Sequence, residues 1–225
     1  IIGKNFFQNP CQKINLIGVT GTNGKTSTVS FIKQILGYDC KVGSIGTIEI
    51  YDGEKTITSI NTTPESLDIQ KNLNEMIKNN CKYCVMEVSS HALVLNRIDN
   101  IDYEAAVFTN LTQDHLDFHK TLENYKNAKE KLFYKTKSIN IFNIDDKVGE
   151  EFFNKSLNRD IKTYTYGVEK EADFKAANIK LYDDRTEYDL IIDKQKYKVS
   201  TPILGNFNVY NTLAAITTCI LLGLS

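Results

Sequence analysis

Apolar residues in this chain follow two patterns, short continuous runs and the 3.6-residue spacing of helices. The short runs predict strands at 14–19, 83–88, 104–109 and 139–143. The helical spacing predicts helices at 25–36, 64–78, 122–134 and 209–222. Strands that alternate with helices are typical of a mostly parallel sheet covered on both faces. The pattern therefore predicts an α/β fold with three layers.

Two segments depart from this alternation. Residues 46–60 contain two alternating runs around Asp52-Gly53, a dipeptide typical of a hairpin turn. Residues 162–199 form short alternating runs with a turn at Asp183-Asp184, which predicts a small antiparallel meander attached to the main sheet. Before the helix at 64–78, Thr63 precedes a proline, the arrangement of an N-cap followed by proline at the first helical position.

The sharpest motif is GVTGTNGKTS at 18–27, between the first strand and the first helix. Glycines let backbone N–H groups surround a phosphate, and the following helix directs its positive end at the same anion. Lys25 supplies a charge for the β- and γ-phosphates, and the Thr26 hydroxyl can bind Mg²⁺. The strict Walker pattern requires glycine where this chain has Val19. We nevertheless interpret the segment as a phosphate loop, which predicts a P-loop three-layer sandwich; the alternative is a glycine-rich turn without a ligand.

Composition and charge narrow the class of protein. The chain has 225 residues, 41% of them hydrophobic and 24% charged, which allows one large α/β domain or two small ones. A net charge of −1 gives no global field that favours nucleic acid or an anionic membrane. No apolar stretch reaches the roughly 20 residues of a membrane helix, and the N-terminus lacks a signal pattern. We therefore predict a cytoplasmic protein without a nucleic-acid or membrane partner.

The cysteines and the chain ends add two expectations. Five cysteines without a regular framework indicate reduced thiols. Cys81 and Cys84 form a CxxC, for which core packing in a strand is the favoured interpretation over a zinc or redox site. Because the chain starts and stops abruptly, we expect an excised domain at 14–225, preceded by a linker remnant at 1–13.

Carboxylates and histidines follow two of the predicted strands. Glu87 lies at the end of the strand at 83–88, on the sheet edge where ligands of α/β proteins collect, so it could hold Mg²⁺. The alternative is a capped or solvated acid. After the strand at 104–109, the sequence DHLDFH places His115 and His119 within five residues, together with Asp114 and Asp117. This spacing indicates either a metal cluster or a helix-capping turn.

Lys129 interrupts an apolar helix face. In the helix at 122–134, the apolar residues Leu122, Tyr125, Ala128, Leu132 and Phe133 fall on one face. Lys129 lies in the middle of that face. It could extend its amine to solvent, bind a buried partner, or take part in chemistry.

Six blocks of sequence together resemble the central ATP-binding domain of the Mur ligases, most of all the type that forms the tripeptide. The blocks are GVTGTNGKTS (18–27), NTTPE (61–65), MEVSSHAL (86–93), FTNLTQDHLDFH (108–119), YKNAKEKLF (125–133) and GNFNVYN (205–211). The GTNGKT loop is shared with folate-polyglutamate ligases, whereas the other blocks are more specific.

The resemblance implies roles for individual residues. The ATP phosphates would be bound by Gly21, Thr22, Asn23, Gly24, Lys25, Thr26 and Ser27, and the adenosine part by Asn208 and Asn211. Mg²⁺ would be bound by Thr26, Glu87 and His115. Lys129 matches a lysine that is carbamylated in the family, and its carbamate would bridge toward a second metal ion. Carbamylation requires a neutral amine, which burial favours. Lys25, Glu87, His115 and Lys129 would form the catalytic set.

The resemblance also implies substrates and a reaction. A UDP-MurNAc-dipeptide would be bound by Asn61, Thr62, Thr63, Ser89 and Arg97, whereas Leu95 departs from the family pattern and cannot make a polar contact. The implied enzyme uses ATP to add the third amino acid to UDP-MurNAc-L-Ala-D-Glu through an acyl phosphate. The sequence does not identify that amino acid.

The resemblance also bears on the oligomeric state and on the activity of residues 1–225 alone. We expect a monomer that lacks the N-terminal and C-terminal domains of the family's enzymes, so that residues 1–225 alone bind nucleotide weakly and do not ligate. The alternatives are another Mur or folylpolyglutamate-type ligase, a nucleotide-switch ATPase, and a non-catalytic nucleotide-binding module. A simple ATPase has no need for the NTTP and EVSSH blocks.

Overall fold

The computed structural model describes residues 2–224 and has one continuous sheet with helices on both sides. The strands are β1 Asn15–Thr20, β2 Val42–Ile45, β3 Glu49–Tyr51, β4 Thr56–Thr58, β5 Tyr83–Glu87, β6 Tyr103–Phe108, β7 Thr136–Asn143, β8 Lys162–Gly167, β9 Phe174–Leu181, β10 Thr186–Ile192 and β11 Gln195–Thr201. The α-helices are α1 Ile2–Phe6, α2 Lys25–Leu36, α3 Ser66–Lys78, α4 Ser90–Val94, α5 Leu116–His119, α6 Leu122–Glu130, α7 Lys147–Ser156 and α8 Asn206–Leu221. Short 3-10 helices occupy Pro10–Gln12 and Lys131–Tyr134, so the predicted helix at 122–134 changes character after Glu130.

The strand order in the sheet is β11-β10-β9-β8-β7-β6-β1-β5-β2-β3-β4. Neighbours from β9 through to β2 pair in parallel, and antiparallel strands are added at both ends, β10 and β11 at one and β3 and β4 at the other. Because all strands of the parallel part end at the same edge, the loops after β1, β2, β5, β6 and β7 are gathered there. The predicted mostly parallel α/β sheet is confirmed.

Two separate apolar cores lie on the two faces of the sheet. Successive side chains of a strand point to opposite faces, so Leu16 belongs to one core and its neighbour Ile17 to the other. The first core is closed by α3, the 3-10 helix Lys131–Tyr134 and α7, and the second by α2 and α8, which pack on each other. The three layers predicted from the sequence are therefore present.

The predicted meander at 162–199 was wrong in its first part. β8 pairs in parallel with both β7 and β9, and antiparallel pairing in this segment is confined to β9 with β10 and β10 with β11. Alternating polarity reports which face of a strand is buried, not the direction of the neighbouring strand, so the pattern could not separate the two cases. The turn at Asp183-Asp184 is confirmed, since it joins β9 to β10.

The hairpin predicted at Asp52-Gly53 is confirmed between β3 and β4. The Asp52 carboxylate accepts hydrogen bonds from the N–H groups of Glu54 at 2.9 Å and Lys55 at 2.7 Å, which closes the turn.

The predicted N-cap at Thr63 was wrong. Helix α3 begins at Ser66, with Glu65 at the N-cap position and no side-chain cap. The Thr63 hydroxyl instead donates to the Glu87 carbonyl oxygen at 2.8 Å and accepts from the Ser89 N–H at 3.0 Å. Thr63 thus bonds to the end of β5 and the residues after it, and not to the first turn of α3.

The cysteines are free thiols, and Cys81 and Cys84 are buried in the first core, as core packing predicts. Within residues 2–224, no helix has both the length and the apolar character needed to cross a bilayer.

Candidate functional site

The loop after β1 turns sharply into α2 at Gly24. Gly24 has φ 84°, in the left-handed region, and a Cβ atom there would lie 2.3 Å from Oδ1 of Asn211. Glycine is therefore required at this position for both backbone and steric reasons. The packing fixes the start of α2 against α8 and directs the first N–H groups of α2 into the space above the loop, where Ser27 completes the first turn.

The loop is held from one side by the segment that follows β6. Asn110 forms a two-way pair with Asn23, accepting from its N–H at 2.9 Å and donating to its carbonyl at 3.1 Å. The Thr109 hydroxyl donates to the same Asn23 carbonyl at 2.6 Å, and the Thr22 N–H donates to the Asn110 carbonyl at 2.8 Å. Asn110 was not among the predicted site residues, and its position soon after the buried strand β6 was the only signal for it in the sequence.

Two lysines meet at one carbonyl of the loop. Lys25 Nζ donates to the carbonyls of Gly21 at 2.9 Å and Thr22 at 2.8 Å, and Lys129 Nζ donates to the Gly21 carbonyl at 2.8 Å. Burial lowers the pKa of Lys25, which the charge of Glu87 partly opposes. Burial, followed by the charge of Lys25, holds the pKa of Lys129 well below its usual range. Two lysine side chains thus meet at the loop, and burial favours the neutral amine of Lys129.

Lys129 does not extend its amine to solvent. Lys129 is 1% exposed, and its Nζ lies 4.4 Å from the centre of the Tyr125 ring. The Tyr125 hydroxyl lies 3.2 Å from the Thr22 hydroxyl, so this ring is itself attached to the loop. The interpretation of Lys129 as a residue that reaches for water is excluded, and a buried partner, Gly21, is present.

Glu87 closes the opposite side of the loop. It is 1% exposed at the end of β5, and the Thr26 hydroxyl lies 3.0 Å from both of its carboxylate oxygens. Thr47, just after β2, donates its N–H at 2.8 Å and its hydroxyl at 3.1 Å. A Cβ at Gly46 would lie 2.5 Å from Oε1, so only glycine leaves room for the carboxylate. The acid is capped and faces the phosphate loop, and it is not solvated.

The three histidines of the chain lie together beside the two lysines. The His91 ring centre is 4.9 Å from that of His115 and 5.6 Å from that of His119. His115 has φ 51° and directly precedes α5, so the DHLDFH segment forms a turn that starts a short helix. Its Nε2 lies 3.4 Å from the Asp114 carboxylate, and about half of its side chain is exposed.

His119 is hydrogen-bonded to a neighbouring hydroxyl. It is buried, and its Nε2 lies 2.9 Å from the Ser90 hydroxyl. Burial lowers the pKa of both His91 and His119, so the neutral rings are favoured. Across the described part of the chain, no three His, Cys, Asp or Glu side chains are grouped as a metal cluster would need.

A cleft of about 320 Å³, which we name the Lys25 cleft, opens between these groups. Its walls include Lys25, His115 and Lys129 together with Asn61, Thr62, Ser89, Leu95 and Arg97. The Arg97 guanidinium donates to the Thr63 carbonyl at 3.0 Å and pairs with Glu65 at 2.7 Å. Thr63, 1% exposed, lies behind this wall and not in it. The cleft suits an anion, because Lys25 and Arg97 line it together with the amine of Lys129.

A second cleft of about 510 Å³, which we name the Asn211 cleft, starts at Asn23 and Gly24 and runs along α8. Asn211 and Asn110 line it near the loop, and Tyr166, Glu169, Phe207 and Tyr210 line it further along. Asn208 supports the wall, since its side-chain oxygen accepts from Asn211 Nδ2 at 3.3 Å. The phosphate loop therefore lies between two clefts, one cationic and one with carboxylates in its wall.

Comparison with known proteins gives one family. A family model described as the Mur ligase middle domain matches residues 19–219. The chain is 52% identical over 224 residues to the UDP-N-acetylmuramoyl-L-alanyl-D-glutamate–2,6-diaminopimelate ligase of Clostridioides difficile (strain 630), covering 99% of this chain and 46% of that protein. It is 49% identical over 228 residues to a ligase of the same name, numbered 1, from Clostridium acetobutylicum, covering 100% of this chain and 46% of that protein.

A solved structure agrees with these relatives. A structure of a UDP-N-acetylmuramoyl-L-alanyl-D-glutamate–2,6-diaminopimelate ligase has a TM-score of 0.88 and 28% identity, covering 99% of this chain and 47% of that one. The chain thus spans about half the length of the curated relatives it matches.

Proposed function

The chain belongs to the Mur ligase family, and from that premise we propose that it binds ATP for a ligase that joins 2,6-diaminopimelate to UDP-MurNAc-L-Ala-D-Glu. The relatives' names support this substrate pair. The amino acid, which the sequence alone left open, comes only from those names.

One observation carries the proposal: side chains from four separate segments of the chain converge on one loop. Lys25 and Lys129 both donate to the Gly21 carbonyl, and Thr26, next in the chain to Lys25, donates to Glu87. His115 lines the same cleft as the two lysines. A loop without a ligand has no reason to gather two buried lysine amines and a buried carboxylate around it.

The loop fits a triphosphate. N–H groups at the start of α2 and the Lys25 ammonium are directed to one space, and both favour an anion. Lys25 Nζ is at present bonded to two loop carbonyls. In our proposal it exchanges these bonds for phosphate oxygens when ATP binds, and its charge stabilises the transferring phosphoryl group.

The donor set also fits Mg²⁺. Thr26 and Glu87 offer oxygen atoms at 3.0 Å from each other, and oxygen is the donor that Mg²⁺ prefers, with phosphate oxygens and water completing its ligands. We propose that Thr26, Glu87 and His115 hold magnesium at this place. When bound, the ion would neutralise phosphate charge and orient the γ-phosphoryl group.

The Lys25 cleft suits the second reactant, whose terminal carboxylate is an anion. In the proposed reaction a carboxylate oxygen attacks the γ-phosphorus, the bond to ADP breaks, and an acyl phosphate forms. The amine of diaminopimelate then attacks the acyl carbon, phosphate leaves, and the amine loses a proton as the amide forms. Asn61, Thr62, Ser89 and Arg97 line the cleft and would orient the UDP-sugar peptide, with Thr63 supporting Arg97 from behind.

We further propose that Lys129 is carbamylated in the active enzyme. Burial and the Lys25 charge lower its pKa, so a larger fraction of the amine is neutral and can add to CO₂. The N–C bond forms, a proton is lost, and the product is an anion. That anion would offset the charge of Lys25 and supply oxygen donors toward the magnesium site.

The proposed reaction depends on the charge of Lys25. In the full-length protein with Mg²⁺, we expect ATP-dependent phosphate release only when both UDP-MurNAc-L-Ala-D-Glu and diaminopimelate are present. Lys25→Ala should lower this rate by roughly 100-fold or more, because a preorganised charge on the transferring phosphoryl group is lost. The measurement is phosphate release, with the amide product followed by mass spectrometry.

Lys41→Ala is the matched control, because Lys41 is half exposed and pairs with Glu54 away from the loop. Phosphate release without the two acceptors would favour a nucleotide-switch ATPase. Full ligation by Lys25→Ala would favour a module whose loop takes no part in catalysis.

A further inference from the structure

His91 lines the Lys25 cleft with a ring that the chain leaves without a polar partner. The two other histidines have such partners: His119 Nε2 lies 2.9 Å from the Ser90 hydroxyl, and His115 Nε2 lies 3.4 Å from the Asp114 carboxylate. Within residues 2–224, no side chain or backbone atom is hydrogen-bonded to the ring nitrogens of His91, although the ring is only half-buried and faces the cleft. Those nitrogens are therefore free to bind a ligand.

Contacts with other rings hold the His91 ring in place. Its centre lies 4.3 Å from that of Phe118, with 37° between the ring planes, and 4.9 Å from that of His115, with 84° between the planes. The backbone that carries the ring is fixed as well, because the Ser89 hydroxyl caps α4 by accepting from the Ala92 N–H at 3.2 Å. Ring packing of this kind orients an imidazole without using its nitrogens.

The His91 ring lies beside the place where we propose that the reaction occurs. His115, a proposed magnesium ligand, is in contact with it, and Lys25 and Lys129 line the same cleft. The reactant expected in this cleft is a carboxylate. One of its oxygens is phosphorylated, and the other becomes the carbonyl oxygen of the acyl phosphate. That second oxygen becomes an oxyanion when the amine adds to the acyl carbon.

We propose that His91 is a further catalytic residue, whose ring N–H donates a hydrogen bond to this second oxygen and stabilises the oxyanion during amide formation. The inference rests on the proposed function, because it needs the sugar peptide in the Lys25 cleft. An imidazole carries at least one N–H in either protonation state, so the donor is always present. A donor aimed at developing charge stabilises the transition state more than the bound substrate.

His91→Phe in the full-length protein tests this contact, because phenylalanine keeps a ring against Phe118 and His115 but has no N–H. Amide formation should slow by roughly 100-fold, as expected for the loss of one oxyanion donor. The KM of UDP-MurNAc-L-Ala-D-Glu should change by less than about threefold, since substrate binding is largely kept. Hydroxylamine added after quenching should trap more acyl phosphate as hydroxamate than in the wild type, because only the second step is slowed.

Two conservative variants and one control separate the N–H from the ring. His91→Gln and His91→Asn place an amide N–H near the positions of the two ring nitrogens, and one of them should recover part of the rate. They also test the same donor if thermal unfolding shows that His91→Phe does not fold. Tyr134→Phe removes a polar group from a ring that is 59% exposed outside the cleft, and it should leave activity unchanged.

Calorimetry with Mn·ATP and the full-length protein distinguishes a contact with the substrate from support of His115. His91→Phe should bind Mn·ATP with an unchanged Kd, and a loss of this affinity as large as the loss of rate would overturn the proposal. An unchanged rate in His91→Phe, no recovery in either amide variant, or less trapped acyl phosphate than in the wild type would also overturn it. A wild type that releases no phosphate with both acceptors present would instead overturn the proposed function.

Discussion

At the scale of single residues, burial of the Lys129 amine lowers the stability of the fold. Lys129 is 1% exposed, and its hydrogen bond to Gly21 and its contact with the Tyr125 ring only partly replace the water it has lost. An apolar side chain of similar length would pack on the same helix face without that cost. Such costs are common at functional sites.

We therefore predict that Lys129→Met stabilises the fold by about 1 kcal/mol at pH 7. The folded-state pKa of Lys129 lies below its unfolded value, so the cost is fully present below the folded pKa. The cost disappears as the pH rises toward the unfolded value of about 10.4. The advantage of Lys129→Met should accordingly be smaller at pH 9.5 than at pH 7. Urea unfolding in CO₂-free buffer measures both values.

Lys126→Met is the matched control on the same helix. Lys126 forms ion pairs with Glu123 and Glu151, and the hydrogen bond to Glu123 is the main cause that raises its pKa. Its replacement should therefore leave stability unchanged or lower it. If Lys129→Met is less stable than the wild type at pH 7, burial of the amine is not the dominant cost.

At the scale of elements, Asp145 joins three of them at the wall of the Asn211 cleft. It follows β7, and it accepts from the N–H groups of Val168 at 2.6 Å and Lys170 at 2.8 Å in the loop after β8. It also accepts from the Tyr210 hydroxyl of α8 at 3.0 Å. Burial alone would raise the pKa of Asp145, but the N–H groups of Glu169, Val168 and Lys170 hold that pKa below its usual range.

We predict that Asp145→Asn loosens this loop and lowers the free energy of unfolding by about 1–3 kcal/mol, because an amide NH₂ would face N–H donors. Hydrogen–deuterium exchange of the segment at 168–170 should become faster, and chemical unfolding gives the free energy. Asp183→Asn, in an exposed turn, is the control. Unchanged exchange at 168–170 in Asp145→Asn would show that the carboxylate does not hold the loop.

Elements with a strong local signal were predictable, and elements that depend on distant partners were not. Helix α2 has the predicted bounds, because its apolar spacing and its glycine before the first turn act locally. Strand β2 is only Val-Gly-Ser-Ile, fully buried, and lacks the long apolar run that a central strand usually shows. Helix α7 has a glycine inside and few apolar residues, and its main local signal is the Asp146 cap, which accepts from the N–H groups of Val148 and Gly149.

At the scale of the whole molecule, the sheet brings chemistry from distant parts of the chain to one edge. Lys25, Glu87 and Lys129 could be named from the sequence, because a charged residue after a strand or inside an apolar face is unusual. Thr47 and Asn110 could not, because neutral polar residues in loops are common and their role depends on β2 and β6 ending beside the phosphate loop. Sequence spacing can also suggest too much: the closeness of His119 to His115 in the sequence allowed a shared metal cluster, but His119 bonds to Ser90.

The measurement that tests the central claim most directly is a crystal structure with a non-hydrolysable ATP analogue and Mn²⁺ in place of Mg²⁺. The claim is that the phosphate loop, Glu87 and Thr26 form one site for metal and triphosphate. An anomalous difference map should show manganese about 2.1 Å from the Glu87 carboxylate and the Thr26 hydroxyl. The phosphates should lie on residues 21–26. Manganese and phosphates on another face of the molecule, with Thr26 still donating to Glu87, would contradict it.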